Sequence, residues 1–147
     1  MITKVFLDTN VLLHVLTPGR RYEEDSRIIF DQIRLHHLEA VLTTQSITDA
    51  SYVIQHTPGC SPRLFRESIR TLLRIVNLEP VGAFQIQDAL NDEAPDFEDL
   101  ALGSCAYASA CEYIITGDEH FLCPKGMQVS VMTPSAFVEK MRGKIDL

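Results

Sequence analysis

The chain has 147 residues, of which 13 are Lys or Arg and 20 are Asp or Glu, so its formal net charge is −7. Apolar residues make up 46% and charged residues 22%, a globular composition that excludes an intrinsically disordered chain. The acidity argues against a protein that coats nucleic acid non-specifically, because such proteins are usually basic. The length suits one domain, and we expect residues 1–147 to form it.

In chain order, the apolar pattern predicts a strand at 2–7 and a helix that ends at Pro18-Gly19, followed by a helix at 22–37. It then predicts a strand at 40–44, helices at 46–56 and 62–74, and a strand at 75–78. The last predicted elements are helices at 84–90 and 97–110, strands at 113–116 and 129–132, and a helix that starts at Thr133-Pro134. Strands that alternate with helices in this way predict an α/β fold, with a parallel sheet and helices on both of its faces.

The beginning of the chain is interrupted by Asp8, Asn10 and His14, which excludes the apolar core of a signal peptide. No apolar run reaches the ~18 residues of a membrane span. The four cysteines show no C-x-x-C spacing, which favours reduced thiols over a zinc site or a redox motif. We therefore expect a cytoplasmic protein that does not enter a membrane.

Acidic residues recur where the predicted strands end. Asp8 directly follows the first strand, Asp49 lies in the first turn of the helix after the second strand, and Asp118 follows the fourth strand. Because the carboxyl ends of parallel strands meet at one edge of a sheet, these three side chains should lie close together. Asp99 begins the helix before the fourth strand, so it joins them only if the short helix at 84–90 carries the chain back across the sheet.

Carboxylates that converge in one crevice repel each other unless a cation compensates their charge. Their hard oxygen atoms select Mg²⁺ or Mn²⁺, and such ions activate water and neutralise phosphate charge. The pattern therefore indicates a phosphodiester hydrolase. The alternative is that each acid only stabilises the start of a helix, since Ser46-x-x-Asp49 resembles a capping box and Asp96 and Asp99 are typical of a first turn.

Three motifs in this order resemble those of the PIN-domain family, which includes the VapC-like toxin ribonucleases. They are V-F-L-D-T-N-V-L-L at 5–13, D-F-E-D-L-A-L-G-S-C-A at 96–106 and E-Y-I-I-T-G-D-E-H-F at 112–121. The resemblance implies one PIN-like domain with a five-stranded parallel sheet of order 3-2-1-4-5. It also implies metal-dependent cleavage of single-stranded or structured RNA, with Asp8, Asp99 and Asp118 as ligands of one or two Mg²⁺ or Mn²⁺ ions.

The same resemblance suggests roles for four further residues. Asp49 stands where the family usually has Glu, so its shorter side chain would contact the metal through water or orient the attacking water. Thr116 matches a small hydroxyl residue that supports the site, and Asn10 matches a polar residue beside the first acid. Asp96 matches an additional acidic ligand found in part of the family. In-line attack of the activated water on phosphorus would leave a 5′-phosphate and a 3′-hydroxyl.

Basic residues could contact the RNA substrate. Arg63, Arg66, Arg70 and Arg74 recur at i, i+3, i+7 and i+11, which places them on one face of a helix. That face is either a solvated surface or a strip that binds RNA phosphates. Arg20 and Arg21, in the loop after the first helix, are further RNA-binding candidates with the same alternative.

The size of the chain resembles that of the toxin half of type II toxin–antitoxin pairs, which implies a homodimer and a small antitoxin as partner. Two alternative functions are a phosphatase and a binding module with little catalysis. A haloacid-dehalogenase-like phosphatase would have D-x-D after the first strand, but here Asn10 occupies the third position and no lysine motif precedes Asp118. A PIN-like module that binds RNA or protein with little catalysis stays open because of Asp49.

Overall fold

A computed structural model describes residues 1–144 of the chain. Its strands form one parallel sheet in the order β3-β2-β1-β4-β5, which confirms the predicted fold class and strand order. The strands are β1 (Thr3–Leu7), β2 (Leu38–Thr43), β3 (Asn77–Glu79), β4 (Tyr113–Ile115) and β5 (Ser130–Met132).

Seven helices occur within residues 1–144, one for each predicted helix. They are α1 (Thr9–Leu16), α2 (Glu23–Arg34), α3 (Thr44–Gln55), α4 (Pro62–Leu72), α5 (Ala83–Leu90), α6 (Phe97–Ala108) and α7 (Pro134–Met141). No helix in this part of the chain is both long and apolar enough to cross a bilayer.

Strand β1 lies at the centre of the sheet, and its side chains alternate between two apolar layers. Val5 and Leu7 pack into the larger layer, which also receives residues of α1, α2 and α7. Phe6 faces the other layer, where it packs with Leu102 and Ala106 of α6. This alternation confirms that helices cover both faces of the sheet.

Helix α4 ends at Leu72, two residues earlier than the predicted limit. The amide groups of Ile75 and Val76 both donate to the carbonyl of Leu72, so the chain turns there. The turn buries Val76 and directs the chain into β3. As a result, Arg74 lies outside the helix and does not continue the predicted basic face within it.

Helix α6 lies very close to the segment that follows β4. A Cβ atom on Gly103 would be 2.7 Å from Cδ of Pro124, so only glycine allows this approach without a shift of the proline. In the same region, the amide of Leu122 donates to the Asp99 carboxylate at 3.3 Å. The segment after β4 therefore packs against the start of α6 and helps to hold one of the acidic side chains.

Candidate active site

Asp8 is the first residue after β1, and its side chain is 8% exposed at the carboxyl edge of the sheet. It is the N-cap of α1, with Oδ1 accepting from the amide of Thr9 at 2.8 Å. Its own amide donates to the carbonyl of Ile115, which ties this position to β4. The structural role as a helix cap thus coexists with a buried carboxylate at the edge where ligands bind in α/β folds.

Thr116 is fully buried and connects two of the predicted acids. Its hydroxyl donates to Oδ2 of Asp8 at 2.8 Å and accepts from the amide of Asp118 at 3.0 Å. Asn10 lies beside it, with Nδ2 donating to Asp8 Oδ2 and to Thr116 Oγ1, each at 3.2 Å. Oδ1 of Asn10 accepts from the amide of Gly117 at 2.8 Å. These bonds fix the Asp8 carboxylate relative to the loop after β4.

Asp99 lies on the same side of the sheet as Asp8 and Asp118, because α5 intervenes between β3 and α6. Its side chain is 8% exposed, and its amide donates to Oδ1 of Asp96, the N-cap of α6, at 3.1 Å. Burial, with smaller contributions from the charges of Asp96, Asp8 and Asp118, raises the pKa of Asp99 from 3.8 to about 7 against the lowering effect of the Leu122 amide. The structure therefore brings Asp8, Asp96, Asp99 and Asp118 together.

Asp49 is placed differently from the prediction. Helix α3 begins at Thr44, not at Ser46, and Thr43 caps it by accepting from the amide of Ser46. The predicted Ser46-x-x-Asp49 capping box is therefore wrong, and Asp49 lies in the second turn, where Oδ1 accepts from Gln45 at 3.1 Å. The early start follows from buried bonds of Ser46 Oγ with Thr43 and Thr9, which join the beginnings of α3 and α1.

Glu98, on the first turn of α6, was not among the residues singled out from the sequence. Its side chain is exposed, and partial desolvation together with the charges of Asp49, Asp8 and Asp96 raises its pKa. Glu98 is thus close enough to both Asp49 and Asp8 to feel their charges. The D-F-E-D motif contained the signal, but an acid in a first helical turn is ordinary by itself.

These acids are not paired with basic side chains in the described part of the chain. None of the ion pairs within residues 1–144 includes Asp8, Asp49, Asp99 or Asp118. Burial is also the main cause that raises the pKa of Asp8, with a contribution from Asp118, against the bonds from Thr116 and the Thr9 amide. Buried carboxylates of like charge without a cation leave a strongly negative crevice.

The donor set fits a hard divalent cation. Carboxylate oxygens are the ligands that Mg²⁺ and Mn²⁺ prefer, and burial and the Asp99 charge raise the pKa of the nearby Cys123 thiol, which disfavours a thiolate ligand. Across residues 1–144, no three carboxylate, imidazole or thiol groups are close enough to hold one ion jointly. An ion here would therefore take one or two carboxylates and complete its coordination with water, as is usual for Mg²⁺.

The candidate RNA-binding arginines are all exposed, but they lie in two different places. Arg20 and Arg21 line a cavity that Asp118 also lines, directly beside the acids. Arg63 pairs with Glu67 one turn further along α4 at 3.3 Å, and Arg66 and Arg70 follow on the same helix. Of these arginines, Arg20 and Arg21 are the ones that share a cavity with Asp118.

A family model described as PIN domain matches residues 4–120, a range that includes all four predicted catalytic aspartates. The chain belongs to the PIN-domain family. Among functionally curated proteins, no sequence matches it. The resemblance seen in its three motifs is therefore confirmed at the level of the family.

Solved PIN-domain structures share its fold at low sequence identity. VapC20 from Mycobacterium tuberculosis, a sarcin-ricin loop cleaving toxin, has 15% identity and a TM-score of 0.64 over 80% of this chain and 92% of that one. VapBC2 from Rickettsia felis, solved with a DNA fragment from its promoter, has 10% identity and a TM-score of 0.64. FitAcB from Neisseria gonorrhoeae has 17% identity and a TM-score of 0.63. The last two matches each cover 89% of this chain and 98% of the other.

Proposed function

We propose that this PIN-domain protein is a ribonuclease that depends on Mg²⁺ or Mn²⁺ and hydrolyses phosphodiester bonds of RNA. One observation carries the proposal. Asp8, Asp99 and Asp118 share one crevice at the carboxyl edge of the sheet, and no basic side chain within residues 1–144 forms an ion pair with them. Such a crevice is suited to a divalent cation and, through it, to a phosphate group.

In this proposal Asp8 and Asp99, the two buried acids, are the primary metal ligands, with Asp118 next to them and Asp96 as an outer ligand. The bound ion would supply Lewis-acid activation of water and neutralisation of the phosphate charge. Thr116 and Asn10 act as positioning residues, because their hydrogen bonds hold Asp8 Oδ2 and the amide groups of the loop after β4. No metal ligation is required of either residue.

Asp49 and Glu98 are proposed to act through water. Both lie toward the exposed side of the crevice, where a carboxylate can accept a hydrogen bond from the attacking water and orient it toward phosphorus. The P–O3′ bond breaks as the water oxygen bonds to phosphorus, so the products are a 5′-phosphate and a 3′-hydroxyl. A second ion, if bound, would be held by the same set of acids.

We further propose that the RNA strand contacts Arg20 and Arg21 beside the crevice and Arg63, Arg66, Arg70 and Arg74 on and after α4. The exposed guanidinium groups of these residues are suited to phosphate oxygens. Reversing the charge at Arg66 and Arg70 should weaken RNA binding and reduce its salt dependence. Unchanged binding would remove α4 from the interface and leave only the arginines beside the acids.

The structural neighbours support a biological role. Two of them are VapC20 and VapBC2, so we propose that this chain is the toxin of a type II toxin–antitoxin pair in the cytoplasm, silenced by a small antitoxin and acting as a homodimer. Co-expression with the product of a short adjacent reading frame, followed by co-purification, tests the partner. Light scattering of the purified chain tests the dimer.

A second function is favoured by the position of Asp49. Its carboxylate is bonded to Gln45 on its own helix and does not lie with the buried acids, so the protein could bind RNA or protein with little catalysis. A cleavage assay separates the two functions. Short single-stranded RNA is incubated with the protein in Mn²⁺, in Mg²⁺ and in EDTA, and the ends of the products are identified. Cleavage in either metal that leaves 5′-phosphates, and none in EDTA, supports the nuclease; binding without cleavage supports the module.

A further inference from the structure

A small cavity lies beside the acidic crevice, between α1, the loop before α2 and the loop after β4. Its volume is about 260 Å³, and its lining includes Asn10, His14, Arg20, Arg21, Tyr22 and Asp118. Pockets that enclose a whole drug-sized ligand usually have roughly 300 Å³ or more, so this cavity suits part of a nucleotide, such as a phosphate and the group attached to it. Asp118 belongs to both the cavity and the acidic crevice, which makes the two sites continuous.

The charge of the cavity differs from that of the crevice. Arg20 is exposed and forms no ion pair within residues 1–144, while Arg21 bonds to Glu119 at 3.5 Å and lies 4.7 Å from the centre of the Tyr22 ring. The hydroxyl of Tyr22 is also bonded to Glu119, at 3.3 Å. One free guanidinium and one that is held beside an aromatic ring form a surface suited to a phosphate and the group attached to it.

His14 adds an unused polar atom to the cavity. Its side chain is 6% exposed, and within the described residues its ring forms one hydrogen bond, between Nδ1 and the fully buried hydroxyl of Ser26 at 2.9 Å. The Cε1–Nε2 edge faces the loop after β4, since a Cβ on Gly117 would lie 2.9 Å from both atoms. Within residues 1–144 Nε2 forms no hydrogen bond, and no buried side-chain nitrogen or oxygen there lacks a partner, so Nε2 is accessible from the cavity.

We propose that this cavity is a subsite for the nucleotide next to the scissile bond, with Arg20 binding its phosphate and His14 Nε2 hydrogen-bonding to its base or ribose. Burial and the nearby charge of Arg20 lower the pKa of His14 to about 4, so the imidazole is neutral and acts as a hydrogen-bonding group. The inference rests on the proposed function for its biological meaning. Binding of a nucleotide here needs no metal.

The test is therefore made with the wild-type chain in EDTA. Adenosine 3′,5′-bisphosphate is titrated by calorimetry, and binding is located by NMR of the Gly117 amide and of ¹⁵N-labelled histidine rings. We expect the Gly117 amide and His14 Nε2 resonances to shift, while Nδ1 of His14, bonded to Ser26, stays nearly constant. Arg20→Ala should weaken binding about tenfold, because a charge-assisted bond is lost. The matched control Arg34→Ala, at the end of α2, should change it less than twofold.

Three results would overturn the subsite. They are no measurable binding, equal affinity in Arg20→Ala and Arg34→Ala, or binding of inorganic phosphate as tightly as the bisphosphate with the same shifts. The outcome is separate from that of the ribonuclease. If the bisphosphate binds as described but RNA is not cleaved in any metal, the proposed function fails and the subsite stands. If RNA is cleaved and the Gly117 and His14 resonances do not move, only the subsite fails.

Discussion

The acidic crevice has two parts that differ in how firmly their side chains are held. The inner part consists of Asp8, Asn10, Thr116 and Asp118, joined by hydrogen bonds of 2.8–3.2 Å around a fully buried hydroxyl. The outer part consists of Asp49, Asp96 and Glu98, which lie on or before helices and have mainly local bonds. Asp99 lies between the parts, buried like the first and carried by α6 like the second.

Under the proposed function, this difference predicts different roles for the inner and outer acids. A ligand must be held rigidly if it is to position a metal, and the inner part has the buried supporting bonds that this requires. The outer acids can follow a substrate or a water molecule, because they are more exposed and less constrained. We therefore expect substitutions in the inner part to reduce activity much more than those in the outer part.

The largest effect is expected from Asp8→Asn. The amide keeps the acceptor for Thr9 but removes the negative charge, so RNA cleavage should fall by ~10³-fold or more. Removal of a repulsive carboxylate favours the folded state, but an amide nitrogen in place of Oδ2 cannot accept from Thr116 and Asn10, so the melting temperature should change by only a few degrees. Asp31→Asn, which alters an exposed acid paired with Arg34 on α2, is the control and should cleave normally. Full activity of the Asp8 variant would contradict the assignment of the site.

The second-largest loss of activity is expected from Thr116→Val. Valine has nearly the shape of threonine but cannot donate to Asp8 or accept from the Asp118 amide. Losing such a supporting bond to a ligand usually costs about 10–100-fold in activity or metal affinity, and about 1–2 kcal/mol in unfolding free energy. Thr116→Ser keeps the hydroxyl and should restore most of the activity. Equal loss in both variants would indicate a packing role only.

Asp99→Asn tests the buried acid that bridges the parts. In the folded protein its pKa is raised from 3.8 to about 7, so Asp99 favours folding below pH 4, and this contribution is lost as the pH rises to about 7. The variant should therefore be more stable than the wild type at pH 7.5, by on the order of 1–2 kcal/mol after solvent screening, and no more stable at pH 4. Urea unfolding at both pH values, without metal, measures this. A gain that is the same at both would refute the electrostatic cause.

The smallest effects are expected in the outer part. Glu98→Gln and Asp49→Asn should each lower cleavage by less than about tenfold, because neither carboxylate is needed to hold the buried acids. The apparent Mn²⁺ affinity in the cleavage assay should fall only slightly. Glu93→Gln, an exposed acid before α6, is the matched control. A loss from Asp49→Asn as large as that from Asp8→Asn would remove the distinction between the two parts.

The sequence was sufficient for the sheet and for most of the site. The run V-F-L before Asp8 and the run Y-I-I before Thr116 predict buried parallel strands, and parallel strands bring the residues that follow them to one edge. That geometry alone placed Asp8 and Asp118 together. The motifs shared with the PIN-domain family added Asp99, whose position depends on a short helix that periodicity could only suggest.

Other features were decided by contacts between distant residues. Thr9 and Ser46 are 37 positions apart, and the bond between them goes with the early start of α3 that places Asp49 in its second turn. The charge of Asp49 on α3 acts on Glu98 of α6, and α6 is in turn positioned by the close approach of Gly103 to Pro124 in the segment after β4. The end of α4 before Arg74 follows from the burial of Val76. Local propensity contains no information on such contacts.

The chain's net charge of −7 shows what composition determines and what depends on tertiary packing. Composition alone argues against a protein that coats nucleic acid non-specifically. The sequence by itself determined which residues end the strands, because strand periodicity and order are local properties. Only the tertiary structure decided that Asp8 and Asp99 are buried near each other, with no ion pair to a basic residue within residues 1–144, while Arg20 lies nearby. Burial and charge separation depend on packing across the whole sheet.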